Sequence, residues 1–168
     1  QIKYTYEAES ATIVGGAEIN CGNASGTKAV NIETAGNSLT FNSVNVPVSD
    51  LYFIKVFYVN PLKSNLKVAV NDSASETILL PNSDKYCFES GNPTYFPILK
   101  NLNAGNNSIK FENGIIDKIE LLSVTEASLS VNDSFILDKS SAFLEKTNVY
   151  FQSSQSALIV SLILLERY

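Results

Sequence analysis

Apolar and polar residues alternate along much of the first 125 positions, with a period of two rather than three to four. Residues 2–9 set Ile2, Tyr4, Tyr6 and Ala8 on one face and Lys3, Thr5, Glu7 and Glu9 on the other. That is the pattern of a half-buried strand. Short strands follow at 11–14, 29–32 and 38–46, the last carrying Leu39, Phe41, Val44 and Val46. Residues 51–59 are apolar almost without a break, which predicts a central strand covered on both faces. Further strands are expected at 66–70, 77–80, 95–102, 108–111 and 115–124, with Pro97 placing its strand at an edge or a bulge. Gly15-Gly16, Ala35-Gly36-Asn37, Asn60-Pro61, Asn71-Asp72, Pro81-Asn82 and Asn113-Gly114 punctuate the series. Residues 20–28 and 82–94 read as loops. No helical period shows before residue 125, so the fold class is all-β, an antiparallel β-sandwich.

The texture changes at residue 125. Residues 1–125 form the predicted sandwich, and 126–168 a C-terminal extension rich in Ser, Asn, Asp and Lys. The extension ends on an apolar run, 157–165, interrupted by Ser161 and too short to span a membrane. Its periodicity fits a buried strand or a short amphipathic helix. Left exposed it would aggregate, so it must pack on the sandwich, pair within itself, or insert into a neighbouring copy. The last option makes residues 157–165 a homo-oligomer contact.

Composition narrows the function. Hydrophobic residues make up 45% and charged residues 17%, which suits a globular chain. The net charge is −5 and the basic residues are scattered, which argues against a nucleic-acid partner. No His is present, so a His-based triad or a His-ligated zinc site is excluded. Cys21 and Cys87 are enough for one bridge. Sequons for N-glycosylation begin at Asn23, Asn71, Asn106 and Asn132. No signal peptide is visible, and a start at Gln1 rather than Met reads as processed or trimmed.

Glu7 and Glu9 carry the sharpest chemical signal. Two residues apart on one strand, they point to the same face and repel. Either they are ordinary solvated residues or something positive holds them. Ca²⁺ suits the second case, because it takes six to eight oxygen ligands from carboxylates and carbonyls. If the first and last strands lie side by side, Asp117 supplies a third carboxylate. Carboxylate pairs also drive glycoside hydrolysis, but calcium accounts better for this pair, and no catalytic residue is assigned.

The order of several short segments resembles the family 35 and family 6 carbohydrate-binding modules, family 35 more closely. These are Tyr6-Glu7-Ala8-Glu9, Ala24-Ser25-Gly26-Thr27-Lys28-Ala29-Val30, Leu39-Thr40-Phe41 and Val44-Asn45-Val46-Pro47 before Leu51-Tyr52. Leu102-Asn103-Ala104-Gly105-Asn106-Asn107-Ser108-Ile109 and Ile116-Asp117-Lys118-Ile119 complete the set. The resemblance implies a β jelly roll that binds a polysaccharide or other glycan without cleaving it. It also implies a structural Ca²⁺ held by Glu7, Glu9 and Asp117, with carbonyls near Ser25 and Lys28. For the sugar it implies an aromatic platform, Tyr95 or Phe96 with Tyr86 and Phe88 nearby, and Asn113 as a hydrogen-bonding partner. Each of these has a plainer reading, as packing for the aromatics and as a turn former for Asn113.

The chain also departs from the family pattern. It has no Trp, and the turn at Asn113 is short. Cys21 and Cys87 fall in the loops that would flank the sugar. A bridge between them is worth on the order of 3–4 kcal/mol on the chain-entropy model, and it could also close the groove. The reading that follows is a secreted module, extracellular or on the cell surface. The alternative is a structural subunit of an extracellular assembly or filament, joined through residues 157–165.

Overall fold

Eleven strands carry the chain through a computed structural model that describes residues 4–63, 65–83, 85–88 and 94–124. The extension from 126, its terminal run and Asn132 lie outside the described residues. In chain order the strands are β1 (Tyr4–Glu7), β2 (Thr12–Val14), β3 (Ala17–Asn20), β4 (Lys28–Asn31), β5 (Ser38–Val46) and β6 (Asp50–Val59). They continue as β7 (Asn65–Val70), β8 (Glu76–Leu79), β9 (Tyr95–Leu102), β10 (Gly105–Glu112) and β11 (Ile115–Ser123). One sheet runs β3-β4-β11-β6-β9, with β1 also paired to β11, and the other runs β2-β5-β10-β7-β8. All of the sandwich but the last two residues of β11 lies within the unit Lys3–Leu121.

The alternation assigned to 2–9 ends early. After Glu7 the chain leaves the sheet through a 3-10 turn, Ala8–Ser10, with Ala8 fully buried beneath it. Glu9 therefore sits on a turn and not on the strand, and strand periodicity does not relate it to Glu7. The reason is topological: β1 belongs to one sheet and β2 to the other, and the turn makes the crossing. β3 has no clear sequence signal, because Ile19 is the one apolar side chain in it that is not fully exposed. Pro97 lies on β9, which pairs with β6 at the edge of its sheet.

β6 is covered on both faces, as its unbroken apolar run requires. Val56, Ile54, Val30 and Ile116 enter the main core between the sheets. Their strand neighbours Phe57, Ala29 and Ile115 turn to the opposite face. There they form a second, smaller core with Cys21, Ala24, Val59 and Phe88. Residues 21–24 and 87–88 roof this core, and a Cys21–Cys87 disulfide joins the two roofing segments with a Cα–Cα distance of 5.4 Å.

The turn between β9 and β10 explains the run Asn103 to Ser108 in physical terms. Gly105 takes φ of 92°, a conformation that favours glycine. Asn107 is 2% exposed. Its Nδ2 donates to the carbonyls of Asn103 and Gly105, and more weakly to Val44, at 2.8, 3.1 and 3.3 Å. Its Oδ1 accepts from the Asn103 amide at 3.0 Å and from Asn71 Nδ2 at 2.7 Å. Asn107→Leu would strand these groups in the interior. A loss of about 3 kcal/mol or more is expected in urea unfolding.

Candidate functional site

β1 and β4 share one edge of β11. β4 pairs with its start, Ile115 and Ile116, while β1 pairs with Lys118 to Leu121. Asp117 falls at the junction between the two. The main core takes Ile116 and Ile119 from this strand, an odd spacing that breaks strict alternation around Asp117. The side chain of Asp117 is buried, and its Oδ1 accepts the Ser25 amide at 3.0 Å.

Ser25 opens a short 3-10 turn, Ser25–Thr27, that leads into β4. Its hydroxyl donates to Glu7 Oε1 at 2.9 Å. Its carbonyl accepts the Lys28 amide and keeps a second lone pair. The next residue, Gly26, has φ of 59°, and a Cβ there would lie 2.7 Å from Glu9 Oε1. The positive φ favours glycine, and any other side chain would also push the Glu9 carboxylate aside. Glu7, Glu9 and Asp117 thus converge on one loop, although from a strand end, a turn and an irregular strand position.

The electrostatics of the cluster are unfavourable as they stand. Glu7 Oε2 and Glu9 Oε2 are buried and have no hydrogen-bond partner. Asp117 has its pKa pushed up to about 6, first by burial, then by the neighbouring charges of Glu7 and Glu9, against the Ser25 hydrogen bond and Lys118. Among the described residues no group of three or more acidic side chains is arranged to hold a metal ion by itself, so backbone oxygens would have to complete any such site. The orphaned oxygens of Glu7 and Glu9 nonetheless call for positive charge, since a buried carboxylate oxygen without a donor is costly. Carboxylates plus loop carbonyls are the donor set of a hard cation with flexible coordination. Lys28 points its ammonium away, to Glu18 Oε2 at 2.7 Å, so only its backbone can contribute.

The predicted sugar residues do not form one group. Phe88 is 4% exposed and belongs to the second core, which removes it from any surface platform. Tyr95 packs beside Phe57, with ring centroids 5.5 Å apart, and Lys55 Nζ lies 4.3 Å from its ring centroid. Those contacts crowd the ring that a pyranose would need. Phe96 packs against the main core. Asn113 has φ of 64°, and its amide donates to Ile32 O at 3.1 Å, so it serves as a turn former tied to the residue that follows β4. Tyr86 alone of the four aromatics is well exposed, at 62%. Its neighbour Cys87 anchors it through the disulfide.

Two of the sequon asparagines have structural work. Asn23 Nδ2 donates to Phe88 O at 2.9 Å, which helps hold the roof, and Asn71 Nδ2 donates into Asn107. Asn106 is exposed and accepts from Asn45 Nδ2 at 2.8 Å. Three residues with evident roles carry weak sequence signals. Gly26 matters through its proximity to Glu9, Ser25 through its hydroxyl, and Lys55 through a ring that pairing with β9 brings beside it.

Two antiparallel sheets, one of them holding β1 against its interior strand β11, define a jelly-roll module. Residues 4–125 match the family described as carbohydrate binding module (family 35). The chain belongs to that family. It is similar to a family 35 module from Clostridium thermocellum, with 27% identity and a TM-score of 0.63, over 71% of this chain and 98% of that one. It is also similar to an exo-β-1,3-galactanase from Phanerochaete chrysosporium solved with galactose, with 26% identity and a TM-score of 0.63. That match takes in 73% of this chain and 30% of the galactanase, so the chain spans under a third of the enzyme's length. No curated protein matches the sequence. Among the described residues no helix is long and apolar enough to cross a membrane.

Proposed function

We propose that this chain is a non-catalytic glycan-binding module, stabilised by Ca²⁺ and working outside the cell. Membership of family 35 over residues 4–125 carries the proposal. The buried, unpartnered oxygens of Glu7 and Glu9 beside Asp117 support the cation. Glu7, Glu9 and Asp117 would hold it, with the Ser25 carbonyl and the backbone at Lys28 completing the shell. Bound there, Ca²⁺ would tie the Ser25–Thr27 loop to both terminal strands. The Cys21–Cys87 bridge favours an oxidising compartment.

For the sugar, Tyr86 offers an exposed ring on a loop pinned by that bridge. A pyranose presents a C–H face for such a ring. Galactan is the first glycan to test, because the similar galactanase was solved with galactose. Affinity electrophoresis through galactan, mannan and β-glucan, in Ca²⁺, should show retarded migration in at least one. Tyr86→Ala should weaken that retention by up to about tenfold. Full retention in the variant would take Tyr86 out of the site. Free migration of the wild-type chain through every polysaccharide would defeat the binding reading itself.

A further inference from the structure

A cleft of about 360 Å³ opens between β1 of one sheet and β5 of the other. It is far in sequence from the loops that carry Tyr86 and Asn113. Tyr6, Glu7, Ser10, Thr12, Asn42 and Ser43 line it. Its volume lies at the small end of the range for small-molecule sites.

The Tyr6 ring is a prepared surface. Its hydroxyl donates to Asn45 O at 3.2 Å and accepts the Asn45 amide at 3.0 Å, so both backbone groups of one residue hold the ring in place. The ring also packs against the main core and remains partly exposed. Phe88, by contrast, is buried, and Tyr95 is crowded by Lys55 and Phe57. Tyr6 is held and still opens onto a cavity.

The polar lining is neutral except for one carboxylate. Thr12 Oγ1 and Asn42 Nδ2 are paired at 2.6 Å and exposed, and Ser10 and Ser43 add exposed hydroxyls. Hydroxyls and amides both donate and accept, which suits sugar hydroxyls. Among the described residues no Lys or Arg lines the cleft to pair with the carboxylate of an acidic sugar. We infer that this sheet-edge cleft is a second saccharide subsite, selective for a neutral pyranose, with Tyr6 as its platform and Thr12, Asn42 and Ser43 as its hydrogen-bonding wall. The inference rests on the glycan-binding reading above and adds a site to it.

The test is a ¹⁵N NMR titration of the whole chain in Ca²⁺ with β-1,3-galactotriose, β-1,4-mannotriose, β-1,3-glucotriose and, for contrast, glucuronic acid. At least one neutral trisaccharide should shift the amides of Tyr6, Thr12 and Asn42, and glucuronic acid should not. Ser43→Trp, which fills the cleft from an exposed position, should abolish those shifts. The milder Asn42→Ala should weaken them by about fivefold. Shifts confined to Tyr86 and its neighbours overturn the cleft and leave the glycan-binding reading standing. Cleft shifts that survive Ser43→Trp also overturn it. No shift anywhere with any sugar overturns both.

Discussion

Millimolar Ca²⁺ is expected to raise the melting temperature of this module by roughly 10 °C over its value in chelator. Binding at a hundredfold excess over Kd adds about 2.7 kcal/mol, and a domain of this size moves several degrees per kcal/mol. Asp117→Asn makes the prediction specific. Asn keeps an oxygen for the Ser25 amide but removes a charge that burial and two neighbouring carboxylates disfavour. In chelator at pH 8 the variant should therefore be more stable than wild type, and its Ca²⁺ response should be lost. A wild-type melting temperature indifferent to both Ca²⁺ and chelator would remove the proposed site.

The pH dependence has a definite sign. The Asp117 pKa of about 6 lies above the ordinary 3.8, so without metal the folded chain binds the proton more tightly than the unfolded chain. Its contribution is fully present below pH 3.8 and is lost as pH rises through 6, a change on the order of 3 kcal/mol. Ca²⁺ needs the ionised carboxylate, so its stabilising increment should grow across the same window. Unfolding curves at pH 4 and 7, each with Ca²⁺ and with chelator, separate the two trends.

Removing the Cys21–Cys87 bridge should cost a comparable amount. The two cysteines are 66 residues apart in sequence, and the chain-entropy model assigns such a span about 4 kcal/mol. The bridge also fastens the roof over Phe57, Val59 and Ile115, so Cys21→Ser with Cys87→Ser should expose that second core. A fall in melting temperature of 10 °C or more is expected, together with faster tryptic cleavage after the exposed Lys85. Reduced and oxidised protein with equal melting temperatures would show that the roof holds without the bond. Single substitution of either cysteine should match the double variant, since each alone breaks the same link.

Much of this architecture is legible without coordinates, because period-two alternation and breaker residues report directly on strands. The boundaries of β5 and β9, the two-faced burial of β6 and the edge placement of Pro97 all follow from local pattern. β3 escapes because a strand with one shielded apolar residue leaves almost no periodic signal. Period-two alternation puts Glu9 on a strand face, but that rule stops applying where the chain crosses between sheets.

The acidic trio and the bonded cysteines are determined by sequence to the extent that residue type limits chemistry. Carboxylates repel and need a partner, and two thiols can form one bond. What the tertiary structure alone decided is which groups face outward and which meet. It buried Phe88, brought Lys55 over Tyr95 and turned Asn113 into a backbone tie. It also set Gly26 against Glu9, and Tyr6 over a cleft bounded by a strand of the other sheet. Contacts between residues far apart in sequence depend on how the two sheets are joined and stacked. No local period encodes that.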